Sequence, residues 1–125
     1  MNGAMSEAAL EALVARFGTR IETGEAVRAQ HGAGDSWHAA AAPDAVLFVD
    51  STAEVSQALA ICHAHGLPVV AFGHGSSLEG QVQAVRGGLC LDLSRMDKVL
   101  RVSQGDMDCT VQCGVTRQAL LRREA

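Results

Sequence analysis

The chain reads as an α/β domain, and three observations predict it. A continuous apolar run, Ala45-Val46-Leu47-Phe48-Val49, precedes a helix-start pattern and then a second apolar run, Pro68-Val69-Val70-Ala71. Runs of this kind belong to strands covered on both faces, and strand–helix–strand order gives a βαβ unit with parallel strands. Ahead of it, apolar residues at helical spacing predict a helix; behind it, shorter runs predict further strands, so the class is α/β grading into α+β. With 125 residues the chain is about one domain's worth.

Each element has a local cause. Ser6 to Phe17 predicts a helix whose apolar stripe is Leu10, Leu13, Val14 and Phe17, with Gly18 as its stop. Thr19 to Ala42 is too polar for a strand and too glycine-rich for a helix; His31 and His38, within it, read as solvated loop residues. Ser51 and Glu54 form an S-x-x-E capping box, Ser51 capping forward and Glu54 reaching back. Val55, Ala58, Leu59 and Cys62 form the buried stripe of that helix, which ends near His65 with Gly66 as its C′ residue, leaving His63 and His65 on the surface. The second run, from Pro68, is expected to be a buried strand parallel to the first. Leu89 to Leu93 predicts another strand after Gly87-Gly88, and Ser94 to Asp97 a turn. Val99 to Val102 and Cys109 to Cys113 flank polar Gln104-Gly105-Asp106 and predict an antiparallel hairpin. Thr116 is an N-cap, with Val115 and Leu120 as a hydrophobic staple; the helix it opens has barely begun at Ala125, which predicts a chain cut inside a domain.

Composition narrows function. A formal charge of −4, no basic block and 3% aromatics argue against a nucleic-acid surface. No apolar run is long enough to span a membrane, and Met1-Asn2-Gly3 does not begin a secretory signal, so a cytoplasmic protein is expected. Cysteines 62, 90, 109 and 113 make no C-x-x-C pair, and Cys62, His63 and His65 do not converge on one helix face; buried or incidental thiols and no metal site are expected.

Chemistry concentrates in Phe72-Gly73-His74-Gly75-Ser76-Ser77-Leu78-Glu79-Gly80, at the carboxyl end of the second parallel strand. Its glycines permit φ > 0 and close backbone approach, and successive N–H groups with the Ser76 and Ser77 hydroxyls suit an anion such as a diphosphate. Ligands of open α/β sheets gather at such strand ends. A P-loop is excluded because G-x-x-x-x-G-K-[ST] is absent; a Rossmann turn is excluded because no G-x-G-x-x-G, nor any helix directly after the glycines, is present. The loop therefore holds its ligand with backbone rather than with a helix dipole.

Several motifs in order now point one way: Arg28-x-x-His31-Gly32 with Asp35-Ser36; Pro43-Asp44-Ala45-Val46 through Glu54-Val55; the glycine loop; Leu91-Asp92-Leu93-Ser94-Arg95-Met96; and Val111-Gln112-x-Gly114-Val115-Thr116. From about Val27 onward the chain resembles the FAD-binding domain of the vanillyl-alcohol-oxidase-like flavoproteins (the PCMH-type fold), and within them the D-lactate dehydrogenase/glycolate oxidase group. The resemblance implies residues 1–26 as a helical lead-in and 27–125 as the N-terminal half of that domain. It implies FAD as cofactor, held by Gly73, His74, Gly75, Ser76, Ser77, Leu78 and Gly80, with Gly114 and Val115 as secondary contacts. It further implies oxidation of a small D-2-hydroxy acid such as D-lactate or glycolate, hydride passing to the flavin, a proton to a base and electrons to a separate acceptor. No catalytic residue is assignable within the chain, whose 125 residues alone are expected to be inactive; a non-catalytic nucleotide-binding or interaction module is the alternative. The chain departs from the family pattern in the bulk of His74, in Ser76 for threonine, in Ser77 for glycine and in Cys113 for proline.

Overall fold

The structure is a computed structural model describing residues 5–124; Met1-Asn2-Gly3 and Ala125, on which the leader and truncation readings turn, lie outside these residues. The elements are α1 (Glu7–Phe17), a 3-10 turn (Gly18–Arg20), β1 (Ile21–Glu22), α2 (Glu25–Gln30), β2 (Ala45–Phe48), α3 (Thr52–Ala64), β3 (Val69–Phe72), β4 (Leu89–Asp92), β5 (Val99–Ser103), β6 (Asp108–Val111) and α4 (Arg117–Glu124). The stretch Thr19 to Ala42, expected to be irregular, thus holds β1 and α2. Both are short: β1 gains its strand form by pairing antiparallel with β2, and Gly24 caps α2 without a side-chain bond.

The four-stranded sheet runs β1-β2-β4-β3, with β4 parallel to both β2 and β3. The two strands of the expected βαβ unit are therefore parallel, but β4 lies between them. That order corrects the burial expected for β3. β4 is buried at all four positions, whereas β3 is an edge strand, half-buried with Ala71 exposed. Asp44 holds the entrance to β4: its N–H donates to the Gly88 carbonyl, and its Oδ2 accepts from the Gly88 N–H, each at 2.8 Å.

One face of the sheet carries the core. Ala45, Leu47, Val49, Leu89 and Leu91 pack with Ala9, Leu13 and Phe17 of α1 and with Ala58 and Cys62 of α3. Each fully buried leucine or valine contributes about 1.5–3 kcal/mol. Each expected stripe holds but for one residue: Leu10, Leu13 and Phe17, joined by Ala9, and Val55, Ala58 and Cys62 pack on the core, whereas Val14 is 45% exposed and Leu59 is likewise exposed. The small alanines let the helices lie close to the sheet.

The helix ends follow their sequence signals. Ser6 accepts from the Ala9 N–H, Ser51 from the Glu54 N–H, and Thr116 from the Ala119 N–H. The return arm of the capping box lands one residue early, since Glu54 Oε1 accepts from the N–H of Asp50 rather than of Ser51. Its other oxygen is taken by Arg20, which also reaches Asp50 at 3.2 Å. The β5–β6 hairpin forms a separate two-stranded sheet.

Candidate functional site

Register builds the site. Phe48, Asp92 and Phe72 are direct partners across β2, β4 and β3, so they form one row at the carboxyl ends of three parallel strands. Partners in a parallel register point to the same face. Above this row lies a cleft of about 360 Å³ whose wall includes Phe48, Phe72, Gly73, His74, Gly75 and Asp92. That volume sits at the low end of the ~300–1,000 Å³ of ligand pockets.

His31, at the end of α2, covers the row. Its ring lies 4.5 Å from the Phe72 ring and 5.7 Å from the Phe48 ring, and its Nε2 is 2.7 Å from Asp92 Oδ2. Nδ1 lies 2.8 Å from the Val27 carbonyl, an acceptor only, so this nitrogen donates. Asp92 Oδ1 accepts from both the N–H and the hydroxyl of Ser94, at 2.8 and 2.6 Å. The expectation of a solvated His31 is corrected: the residue is 4% exposed. Sequence reasoning missed this pair because its members lie 61 positions apart; the Arg28-x-x-His31-Gly32 and Leu91-Asp92-Leu93-Ser94-Arg95-Met96 motifs were the local signs. Arg95 was also passed over as a site residue. Its guanidinium carbon stands 4.5 Å from the centroid of Phe48, placing a cation against a ring that lines the cleft.

The glycine loop begins where β3 ends. Leu93 N–H donates to the Phe72 carbonyl at 2.8 Å, the last bond between the two strands. Beyond it, among the described residues, no backbone N–H from Gly73 to Leu78 donates to a backbone carbonyl. Those amides are thus left without backbone partners among the described residues. Gly75 takes φ +71°, and a Cβ there would lie 2.5 Å from Phe72 Cζ, so conformation and space both require glycine. A Cβ at Gly73 would meet nothing within 4 Å. No helix intervenes before β4, in keeping with a backbone-built site.

The expected site residues do not all meet. Gly73, His74 and Gly75 line the cleft; Ser76, Ser77, Leu78 and Gly80 stand outside its wall. The Ser77 hydroxyl donates to Gln81 Oε1, Leu78 is 64% exposed, and Gly80 lies against the His38 ring. His74 is exposed, but its Nε2 lies 3.1 Å from the Gly114 carbonyl and ties the loop to a segment 40 residues away. Gly114 is buried against the turn after β4: a Cβ there would lie 2.3 Å from the Leu93 carbonyl oxygen, and its N–H donates to Met96. Gly114 therefore joins the loop through His74. Val115 is half-buried, its N–H donating to Gln112, and does not line the cleft.

The thiols stand apart from this chemistry. Burial pushes Cys62 up to about 11, and burial with the nearby Asp92 charge pushes Cys90 up to about 12. Cys109 and Cys113 are exposed and free. Among the described residues, no three His, Cys, Asp or Glu side chains are grouped to hold a metal ion, and no helix is long and apolar enough to cross a membrane. A second hollow, about 410 Å³, lies between the hairpin and α4, bounded by Val102, Met107, Leu120 and Leu121 among others.

Comparison with known proteins bears on this geometry. Residues 43–124 match a family described as FAD binding domain. The chain is 43% identical over 118 residues to a probable mitochondrial D-lactate dehydrogenase of Danio rerio, covering 90% of this chain and 24% of that protein. It is 36% identical over 80 residues to the GlcD component of glycolate oxidase from Bacillus subtilis (strain 168), covering 64% of this chain and 17% of the relative. Among solved structures, an alkyldihydroxyacetonephosphate synthase superposes with TM-score 0.84 at 23% identity, over 96% of this chain and 25% of its own. A p-cresol methylhydroxylase with substrate bound gives 0.80 at 18% identity, over 95% and 25%. The chain thus spans about a quarter of the length of the first of these relatives.

Proposed function

Because this chain belongs to the FAD binding domain family, we propose that it is the diphosphate-holding portion of a flavoenzyme that oxidises a small D-2-hydroxy acid such as D-lactate or glycolate. Its fold is the PCMH-type α/β fold, and its cofactor is FAD. The observation that carries the reading is the unspent row of loop amides beside a cleft at the ends of three parallel strands.

The residues present fit such a group. A diphosphate needs converging donors and little opposing charge, and the N–H groups of 73–78 supply the donors. Asp92 is the carboxylate lining the cleft, and it is matched by His31 and Ser94. Gly73, His74, Gly75, Ser76, Ser77 and Leu78 would hold the diphosphate, Gly80 would shape the end of the loop, and Gly114 and Val115 would bear on the cofactor from the neighbouring segment. When bound, FAD supplies the two-electron acceptor for the oxidation. The chain's own share is to bind and orient it. Phe72 supports the turn at Gly75, His74 braces the loop on Gly114, and the His31–Asp92 pair closes the floor.

In this reading residues 1–26 are a lead-in and 27–125 the first part of the FAD domain. The base and the hydroxy-acid contacts belong to the rest of a protein of the relatives' length, and the electron acceptor is a separate partner, so the 125 residues alone give no turnover. Cytoplasmic residence is part of the proposal; the Danio rerio relative carries a mitochondrial name. The test takes the gene's whole product, loaded with FAD and held without oxygen. D-lactate or glycolate is expected to bleach the oxidised flavin's visible band. A flavin-loaded protein left unbleached by either acid would contradict the hydroxy-acid assignment and favour a non-catalytic nucleotide-binding module.

A further inference from the structure

Gln83 is a buried polar side chain that the folded chain leaves without a partner. It is 4% exposed, between buried Val82 and Ala84, in the segment that leads from the glycine loop to β4. Its backbone is fully used: the N–H donates to the Gly80 carbonyl at 3.3 Å, and the carbonyl accepts from the Val85 N–H at 3.0 Å. Neither Nε2 nor Oε1 of the side chain has a hydrogen-bond partner. Buried carboxamides are ordinarily paired, and an apolar residue of similar volume would fill the same space without the loss. A glutamine here makes physical sense when something else brings the partner.

The surroundings indicate what brings it. A Cβ built on Gly34 would stand 3.5 Å from Gln83 Nε2 and 3.5 Å from the Gly75 carbonyl oxygen. Gly75 lines the strand-end cleft, and its carbonyl accepts no backbone bond among the described residues. Gly34 itself is exposed. The carboxamide therefore lies buried directly behind the glycine loop, beside Gly34 and the Gly75 carbonyl.

We propose that Gln83 completes the dinucleotide site, its carboxamide pairing with polar atoms of bound FAD between Gly34 and Gly75. The inference rests on the reading of loop 73–78 as a diphosphate site, and it adds a residue to that site from a position 10 residues beyond Gly73. It also implies a trade: the same amide that strengthens binding weakens the ligand-free fold.

The full chain and its Gln83→Met variant test this by ADP and FAD binding and by thermal melting without nucleotide. The expected result is that the parent binds both nucleotides, while Gln83→Met binds FAD about tenfold more weakly yet melts a few degrees (about 3–5 °C) higher when ligand-free. Gln83→Leu, with the same expectation, keeps the test open if the methionine variant misfolds. FAD affinity within twofold of the parent overturns the inference. So does a lower ligand-free midpoint, which would mean that water or protein already pairs the amide. Failure of the parent to take up either nucleotide overturns the diphosphate reading, and this inference with it.

Discussion

The Glu54 carboxylate accepts from the Arg20 guanidinium and from the Asp50 N–H. The Arg20 bond is the larger influence, and against the opposing effect of burial it holds Glu54 down to about 2 from an ordinary 4.5. A carboxylate whose folded pKa lies below its unfolded one contributes stability that is full above the unfolded value and is lost as pH falls through the folded one. Urea midpoints are therefore expected to drop between about pH 4.5 and pH 2, and Glu54→Gln to flatten that slope while costing about 1–2 kcal/mol at neutral pH. A variant as acid-sensitive as the parent would remove Glu54 from the account. The His31–Asp92 pair gives a second expectation. Asp92→Ala strands a buried imidazole and two Ser94 donors, so it should cost about 3–5 kcal/mol, whereas Asp92→Asn keeps an acceptor for Ser94 and costs less. Equal urea midpoints for Asp92→Ala and the parent would mean that the pair does not tie α2 to the strand ends.

At the scale of elements, stability should be uneven. β4 is central and buried at every residue, while β6 is exposed at all four and pairs only with β5. Amide hydrogen exchange should leave Leu89–Asp92 protected longest and Asp108–Val111 among the first strands to exchange; the reverse order would contradict the layering. These elements also show what was legible from sequence. The capping box, Gly66 and Thr116 are local signals, and the structure keeps them because each satisfies a helix end within a few residues. Strand order is not local. Nothing in Val69–Phe72 tells that β4 will intervene and leave β3 at the edge, and β1 owes its strand form to β2. The site divides the same way: the loop could be read from its glycines, whereas His31 and Gln83 matter only because of what the fold lays against them.

For the molecule as a whole, the sheet, its covering helices and the loop belong to an FAD binding domain, in a chain about a quarter as long as its Danio rerio relative. Binding can be asked of this chain directly, and the proposed oxidation of the gene's whole product. The open amides after β3 make the account testable by titrating the isotope-labelled chain with ADP and following backbone amide shifts by NMR. Saturable shifts are expected at Gly73–Leu78, abolished by Gly75→Ala, whose new Cβ collides with Phe72. Shifts confined to the hollow between the hairpin and α4, or none at Gly73–Leu78 at saturating ADP, would contradict it.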